Sequence, residues 1–108
     1  MKLPNLVKIG SINYSLNANA DLDDGVGRHS SSRSRMEYKT EGVSEQQQLS
    51  TVLHECLHAI LFSSGVARAL TLTNEQEEIL VTCLEDPMMS FIKDNPTLIK
   101  TFMEKRKT

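Results

Sequence analysis

The sequence predicts an α+β domain in which a small antiparallel sheet packs on a helix pair, followed by a C-terminal helix. Two observations support this prediction. Residues 1–40 hold two short strand-like runs separated by a polar stretch, whereas the rest of the chain carries apolar residues at helical spacing. At 108 residues the chain has the size of one compact domain, which we assign to residues 1–108.

Alternating apolar residues predict the strands. The run LVKIGSINYSL at 6–16 alternates in part around Gly10 and Ser11, which predicts a strand or a tight hairpin. Residues 17–34 are rich in Asn, Asp, Gly and Ser, so we expect a long irregular loop there. A second strand follows at 35–40. Because no crossover helix separates the two strands, we expect antiparallel pairing.

The first helix is predicted at 46–62. Ser44 and Gln47 have the spacing of a capping box, and apolar residues then recur with the helical period. Gly65 is expected to end this helix, because glycine readily adopts the left-handed conformation found just after a helix.

Two more helices are expected downstream. Either Thr73 with Gln76 or Asn74 with Glu77 can cap the second helix, and Pro87 should kink or break it near 83–86. The sequence Asp-Asn-Pro at 94–96 then predicts the start of a last amphipathic helix over 97–105, with one of the two polar residues as cap.

Composition argues against several classes of protein. Twelve Lys and Arg against fourteen Asp and Glu give a net charge of −2, so nucleic acid is not expected as a direct partner. No run of apolar residues has the length of a signal peptide or a membrane span. We therefore expect a soluble cytoplasmic protein without membrane contact. The two cysteines are too few for a disulfide scaffold and are expected to be reduced.

The run His54-Glu55-Cys56-Leu57-His58 carries the chemistry. Two histidines at i and i+4 on a helix present both imidazoles from one face, which suits a zinc ion. Glu55 projects about 100° away from His54, beside the metal, where a general base for zinc-activated water belongs. Cys56 lies about 200° from each histidine, so we expect it to pack as a small buried hydrophobe and not to bind metal.

The alternative is that the pattern is a chance arrangement of surface residues. The helical wheel disfavours it, because His54 and His58 lie at the edge of the apolar arc, beside Gln47, Ser50 and Thr51. Such a border between core and solvent suits a ligand pair that lines a cleft.

A third zinc ligand is needed, and the remaining His29 lies upstream in the predicted loop. No histidine follows the motif, so a carboxylate from the second helix is expected, and the candidates are Glu75, Glu77, Glu78 and Glu85. Glu78 follows His58 by twenty residues, which leaves room for a turn between two helices. Spacing alone leaves both Glu77 and Glu78 open.

These segments resemble small phage-encoded zincin-like metallopeptidases related to the IrrE type. The resemblance covers KIGSINY at 8–14, SEQQQLSTVLHECLHAILF at 44–62, EEILVTCLED at 77–86 and KDNP at 93–96. In that family the third ligand is a glutamate whose register corresponds to Glu78, so the resemblance implies His54, His58 and Glu78 as zinc ligands. Pro87 and the very polar stretch 21–35 depart from the family pattern.

The expected function is that of a zinc metalloendopeptidase acting on a protein substrate, with Glu55 as general base. Tyr14 or Tyr38 could supply an oxyanion donor, although packing roles suit both tyrosines better. A catalytically silent, zinc-bound module that regulates a phage or host protein is the second hypothesis. A helical interaction module without metal is the third. If the chain is phage-encoded, it is expected in the host cytoplasm.

Overall fold

A computed structural model describes residues 1–19, 22 and 25–105. Its strands come first and its helices follow, so the expected α+β class is confirmed. The elements are β1 (Leu6–Ile9), β2 (Ile12–Ala18), β3 (Gly27–Ser30), β4 (Arg35–Tyr38), α1 (Glu45–Ser64), α2 (Val66–Ala69), α3 (Asn74–Asp94) and α4 (Pro96–Lys105).

The four strands form one mixed sheet in the order β1-β2-β4-β3. Strands β1 and β2 form the predicted hairpin, whereas β2 and β4 pair in parallel from Ser15 opposite Arg35 to Ala18 opposite Tyr38. The prediction of a purely antiparallel sheet is therefore wrong. Strand β3 lies at the outer edge of the sheet and runs antiparallel to β4. The chain thus passes through β3 before β4 pairs with β2, and no crossover helix is needed.

Strand β3 lies inside the stretch that was predicted to be irregular. Its sequence, Gly-Arg-His-Ser, has neither apolar alternation nor high strand propensity, and it is held by pairing with β4 from Gly27 opposite Tyr38 to Ser30 opposite Arg35. The loop prediction is wrong for these four residues and for the end of β2. At residues 20, 21, 23 and 24 the same prediction lies outside the described part of the chain.

Helix α1 packs across one face of the sheet and forms the core with it. Tyr14, Leu16 and Met36 from the sheet and Ala59 from α1 are buried in one cluster, and the half-buried Val52 and Cys56 pack against it. This arrangement directs one flank of α1 toward α3, which lies beside it. The predicted helix pair is therefore present, but α1 is the helix that packs on the sheet, and α3 packs on α1.

Both ends of α1 are capped at the predicted residues, although Gln47 does not complete the capping box, because its side chain donates to Thr51 Oγ1. The Ser44 hydroxyl accepts a hydrogen bond from the Gln47 amide at 3.1 Å. At the other end Gly65 has φ of 79° and its N–H donates to the Phe62 carbonyl at 3.2 Å. These caps satisfy backbone groups at both ends of α1 and fix where the helix begins and ends.

Helix α3 starts with the predicted capping box, in which Thr73 and Gln76 exchange two hydrogen bonds. The helix runs through Pro87 to Asp94, so of the predicted kink or break the break is wrong, and the kink stays a prediction. Proline removes the hydrogen bond to the carbonyl of Cys83, and both residues are exposed. Water can therefore replace the missing donor, and the helix continues.

The C-terminal helix α4 begins at Pro96, one residue before the predicted start. The Asn95 side chain does not cap it but donates to the Phe91 carbonyl at 2.9 Å at the end of α3. None of the α4 residues is buried, so α4 extends from α3 and does not pack into the helix pair. No helix in the described ranges combines the length and apolar character needed to cross a membrane.

Candidate metal centre

Two imidazole nitrogens and one carboxylate converge between α1 and α3. His54 and His58 lie one turn apart on α1, and Glu78 lies in the second turn of α3. The Nε2 atom of His54 is 2.8 Å from Glu78 Oε1, and the Nε2 atom of His58 is 2.9 Å from Glu78 Oε2. One ligand atom from each of the three residues can be chosen so that all lie within 4.8 Å of one another.

A second pair of carboxylates lies behind the two rings. The Nδ1 atom of His54 is 2.8 Å from Glu85 Oε1, and the Nδ1 atom of His58 is 2.6 Å from Glu77 Oε2. The structure thus separates the two candidates that sequence spacing left open: Glu78 faces both Nε2 atoms, whereas Glu77 faces the far side of one ring. Carboxylates in such a position commonly orient histidines that bind metal through the other nitrogen.

The donors and acceptors in the cluster limit which groups it can bind. Every ring nitrogen of His54 and His58 faces a carboxylate oxygen, and an ionised carboxylate can only accept. Without a cation, each ring would need protons on both nitrogens to satisfy all four contacts. A divalent ion bound by the Nε2 atoms and Glu78 would satisfy the same contacts with neutral rings, whose Nδ1–H groups donate to Glu85 and Glu77.

The charges around the cluster also favour a bound cation. Four carboxylates, those of Glu55, Glu77, Glu78 and Glu85, surround three histidines that carry no fixed charge when neutral. Zinc accepts imidazole and carboxylate ligands at about 2 Å in a tetrahedron, with ligand atoms then about 3.3 Å apart. The residues present therefore fit a zinc ion after small side-chain movements.

Glu55 lies beside the histidine pair and is not part of the three-residue cluster. It is 7% exposed, and its Oε1 accepts a hydrogen bond from His29 Nδ1 at 2.6 Å. The bond to Glu55 raises the pKa of His29, outweighing the opposing effect of desolvation by burial. Glu55 thus lines the same cleft as His54, His58 and Glu78, and it has in His29 a partner that the sequence did not reveal.

His29 reaches Glu55 from β3, and its ring stacks on His58 with centroids 4.7 Å apart and planes 17° apart. Sequence reasoning considered His29 only as a poorly placed metal ligand, because its segment was predicted to be loop. The chain has three histidines, and His29 is the one outside the motif. That is the sequence feature that could have directed attention to it.

Gly27 allows β3 to approach α1 this closely. A methyl group added at Gly27 would overlap the Thr51 side chain and lie 3.2 Å from Glu55 Oε2. A larger residue would therefore push the edge strand, and His29 with it, away from the helix.

A cleft of about 450 Å³ opens over the cluster, and its wall opposite the helices is formed by Gly27, Arg28 and His29 of β3. Neither tyrosine considered as an oxyanion donor is among the described residues that line it. Tyr14 is fully buried in the core, where its hydroxyl has no partner among the described residues, and Tyr38 packs against the same core.

Cys56 packs as predicted, away from the cluster. Its Sγ lies 4.0 Å from Met36 Sδ, at the core between α1 and the sheet. Burial, with a smaller effect of the Glu55 charge, raises the pKa of the Cys56 thiol to about 11. A thiol in this state is a poor metal ligand at neutral pH.

Comparison with protein-family models, with curated proteins and with solved structures finds no match to this chain. The resemblance to phage-encoded zincin-like peptidases therefore stays a prediction from the motifs.

Proposed function

We propose that this protein is a zinc-dependent metalloendopeptidase of the zincin-like type related to IrrE, acting on a protein substrate. His54, His58 and Glu78 would hold the zinc ion, and Glu55 would be the general base. The observation that supports this most is the convergence of both Nε2 atoms on Glu78, with each Nδ1 atom backed by a further carboxylate. Histidines that bind a metal commonly donate their other ring N–H to a carboxylate in this way.

The chemistry divides between the ion and the protein. A bound zinc ion would lower the pKa of water toward about 7 and polarise the scissile carbonyl. Glu55 would take a proton from the attacking water and deliver it to the leaving amine. His29 would fix Glu55 through Oε1, which leaves Oε2 to accept that proton.

A catalytically silent zinc-bound module remains the second candidate, and one observation favours it. Glu55 is buried and already engaged by His29 at 2.6 Å, so its carboxylate is less available to water than that of an unpaired base. In that case the cleft would bind a regulatory protein of a phage or its host, in the host cytoplasm if the chain is phage-encoded, without cleaving it.

Metal content is the first test. Purified wild-type protein should contain about one zinc per chain by mass spectrometry of the metal, and His54→Ala or His58→Ala should lose it. The matched control is His29→Ala, which removes a neighbouring imidazole outside the ligand set and should keep zinc. Full zinc occupancy in both ligand variants would refute the proposed site.

Turnover is the second test. Wild type and Glu55→Gln, both loaded with zinc, are incubated with host and phage protein extracts, and new peptide termini are identified. Glutamine is nearly isosteric with glutamate but does not accept the proton, so the variant should retain zinc and lose cleavage. Zinc loss in this variant would make Glu55 a ligand, and cleavage at the wild-type rate would exclude it as the base. A protein bound equally by both chains and cleaved by neither would favour the silent module.

A further inference from the structure

Three arginines surround a second cavity at the edge of the sheet, next to the candidate metal centre. The cavity has a volume of about 280 Å³ and is lined by Arg28, His29, Ser30, Arg33, Arg35 and Glu37. The lining residues of this cavity carry three positive charges and one negative charge. The whole chain, by contrast, has a net charge of −2. The excess of positive charge is thus a local feature of the β3–β4 hairpin.

The buried Glu37 holds two of the three arginines in place. It accepts a hydrogen bond from Arg28 Nε, and Arg35 donates to its Oε1 from Nε at 3.2 Å and from Nη2 at 3.0 Å. The Glu37 side chain is only 6% exposed, whereas those of Arg28 and Arg35 are 57% and 47% exposed. The carboxylate therefore lies behind the guanidinium groups, which face the cavity and solvent.

Arg33 supplies a charge that no described residue neutralises. It is exposed in the turn between β3 and β4, and its guanidinium makes no hydrogen bond or ion pair with any other described residue. An arginine in this state retains all five N–H donors for a ligand with negatively charged oxygens.

Strand geometry relates this cavity to the metal cleft. Arg28 is opposite Glu37 and Ser30 is opposite Arg35, so these side chains share one face of the hairpin. His29 is opposite Met36 on the other face, toward α1 and the metal ligands. The two cavities share Arg28 and His29 in their walls, and both open along the same edge strand.

We propose that the arginine cavity binds an acidic side chain, Asp or Glu, of an extended peptide lying along the edge of β3. Successive side chains of an extended peptide point to opposite faces, so the acidic residue would directly neighbour the residue that faces the metal cleft. A nucleic-acid backbone fits less well, because it needs a wider basic surface on a less acidic protein. The substrate role of this peptide rests on the proposed peptidase function.

The test uses binding without cleavage. A pentapeptide with blocked ends, Ala-Glu-Ala-Glu-Ala, is titrated into ¹⁵N-labelled full-length Glu55→Gln protein, and the arginine Nε–H signals are followed by NMR. We expect the Arg33 and Arg35 signals to move, with Arg68 on α2 as an unaffected internal control. The Gln version of the peptide should bind at least about fivefold more weakly, because charge-assisted hydrogen bonds are lost.

Arg33→Gln should weaken binding of the Glu peptide by about five- to tenfold, whereas Arg68→Gln, an exposed substitution away from the cavity, should leave it unchanged. Equal affinity for the Glu and Gln peptides, or no effect of Arg33→Gln, would overturn the proposal. Tighter binding of a single-stranded DNA pentanucleotide with the same signal changes would also overturn it.

The same titration on His54→Ala separates this proposal from the proposed function. That variant should lack zinc but bind the Glu peptide as before, because the arginine cavity lies on the other face of the hairpin. If the wild type proves to have neither zinc nor peptidase activity, binding of the Glu peptide at Arg33 still supports the acidic-peptide site. If the wild-type protein holds zinc and cleaves protein but does not bind the Glu peptide, the acidic-peptide site is wrong and the proposed function still stands.

Discussion

His29 Nδ1 lies 2.6 Å from Glu55 Oε1, while the same imidazole stacks on His58 at 4.7 Å between centroids. One residue of the edge strand thus contacts both the candidate base and a candidate metal ligand on α1. Such contacts restrict the rotation of side chains that would otherwise be free in a cleft, and restricted orientation is a large part of catalytic efficiency. The contact between β3 and α1 therefore adds a positioning role to the chemistry of the motif.

Replacement of His29 should affect turnover more than zinc content. His29→Ala removes the donor to Glu55, and we expect kcat to fall by about ten- to a hundredfold with zinc retained. His29→Asn can place an N–H near the position of Nδ1 and should recover part of this loss, whereas His29→Gln should not. Steady-state kinetics with metal analysis would check this; equal kcat in the Ala and Asn variants would show that the hydrogen bond is not what matters.

Zinc affinity should distinguish Glu78 from the carboxylates behind the rings. Glu78→Gln removes a ligand and should weaken zinc binding by more than about a hundredfold. Glu77→Gln or Glu85→Gln removes only an acceptor for Nδ1–H and should cost about ten- to a hundredfold. Competition with a chromogenic chelator measures all three, and Glu75→Gln, an exposed first-turn glutamate, is the control. A larger loss from Glu77→Gln than from Glu78→Gln would reassign the third ligand.

The helical half of the molecule could be predicted from the sequence because its information is local. Ser44, Gly65 and Thr73 fix helix ends through their own side chains or backbone conformation, and the i, i+4 histidines follow from the helical period. Glu85 lies seven residues after Glu78, hence on the same face of α3. Sequence spacing therefore included it among the candidates, but the contact with His54 depends on how α3 packs on α1.

The sheet was predicted less well because its pairing is not local. Strand β3 has no apolar alternation, and only its pairing with β4 makes it a strand. Without β3, the parallel pairing of β2 with β4 could not be foreseen, and His29 could not be placed beside Glu55. The break predicted at Pro87 was wrong for a related reason: the exposed environment of Pro87 in α3 determines whether water can replace the lost hydrogen bond.

Close packing at Gly27 gives a prediction about stability. Gly27→Ala should lower the free energy of unfolding by about 1–3 kcal/mol, because the added methyl overlaps the Thr51 side chain. It should also lower peptidase activity by displacing His29. Urea denaturation measures the first effect, and Ser30→Ala on the same strand should stay within about 0.5 kcal/mol of wild type. Unchanged stability of Gly27→Ala would mean that β3 can move away from α1 at no cost.

The two cysteines should react very differently with thiol reagents. Burial raises the pKa of Cys56 to about 11, so at pH 8 only about one Cys56 thiol in a thousand is the reactive thiolate. Cys83 is exposed on α3 and lies outside the core. Titration of the native protein with a disulfide reagent should therefore show one fast thiol per chain, which disappears in Cys83→Ser. Two fast thiols would show that α1 separates readily from the sheet.

The buried Glu37 should make stability depend on pH in the acid range. Hydrogen bonding from Arg28, and then from Arg35, lowers the pKa of Glu37 below its usual 4.5 despite the opposing effect of desolvation. A carboxyl group with a lowered pKa in the folded state stabilises the fold fully above its unfolded pKa, and this contribution is lost as the pH falls through the folded value. Glu37→Gln lacks that contribution at every pH.

The difference in unfolding free energy between wild type and Glu37→Gln should therefore be constant between pH 6 and 8 and shrink below pH 4.5. We expect about 1–2 kcal/mol at neutral pH, between the values for exposed and buried ion pairs, because the two arginines are about half exposed. Urea denaturation of both proteins over this pH range measures this difference. Any contribution of the metal site cancels from the difference, because both proteins contain that site. Glu104→Gln, whose pair with Lys100 at 3.9 Å is exposed, should show almost no difference at any pH. A difference that grows toward acid would mean that the neutral form of Glu37 is the one the fold prefers.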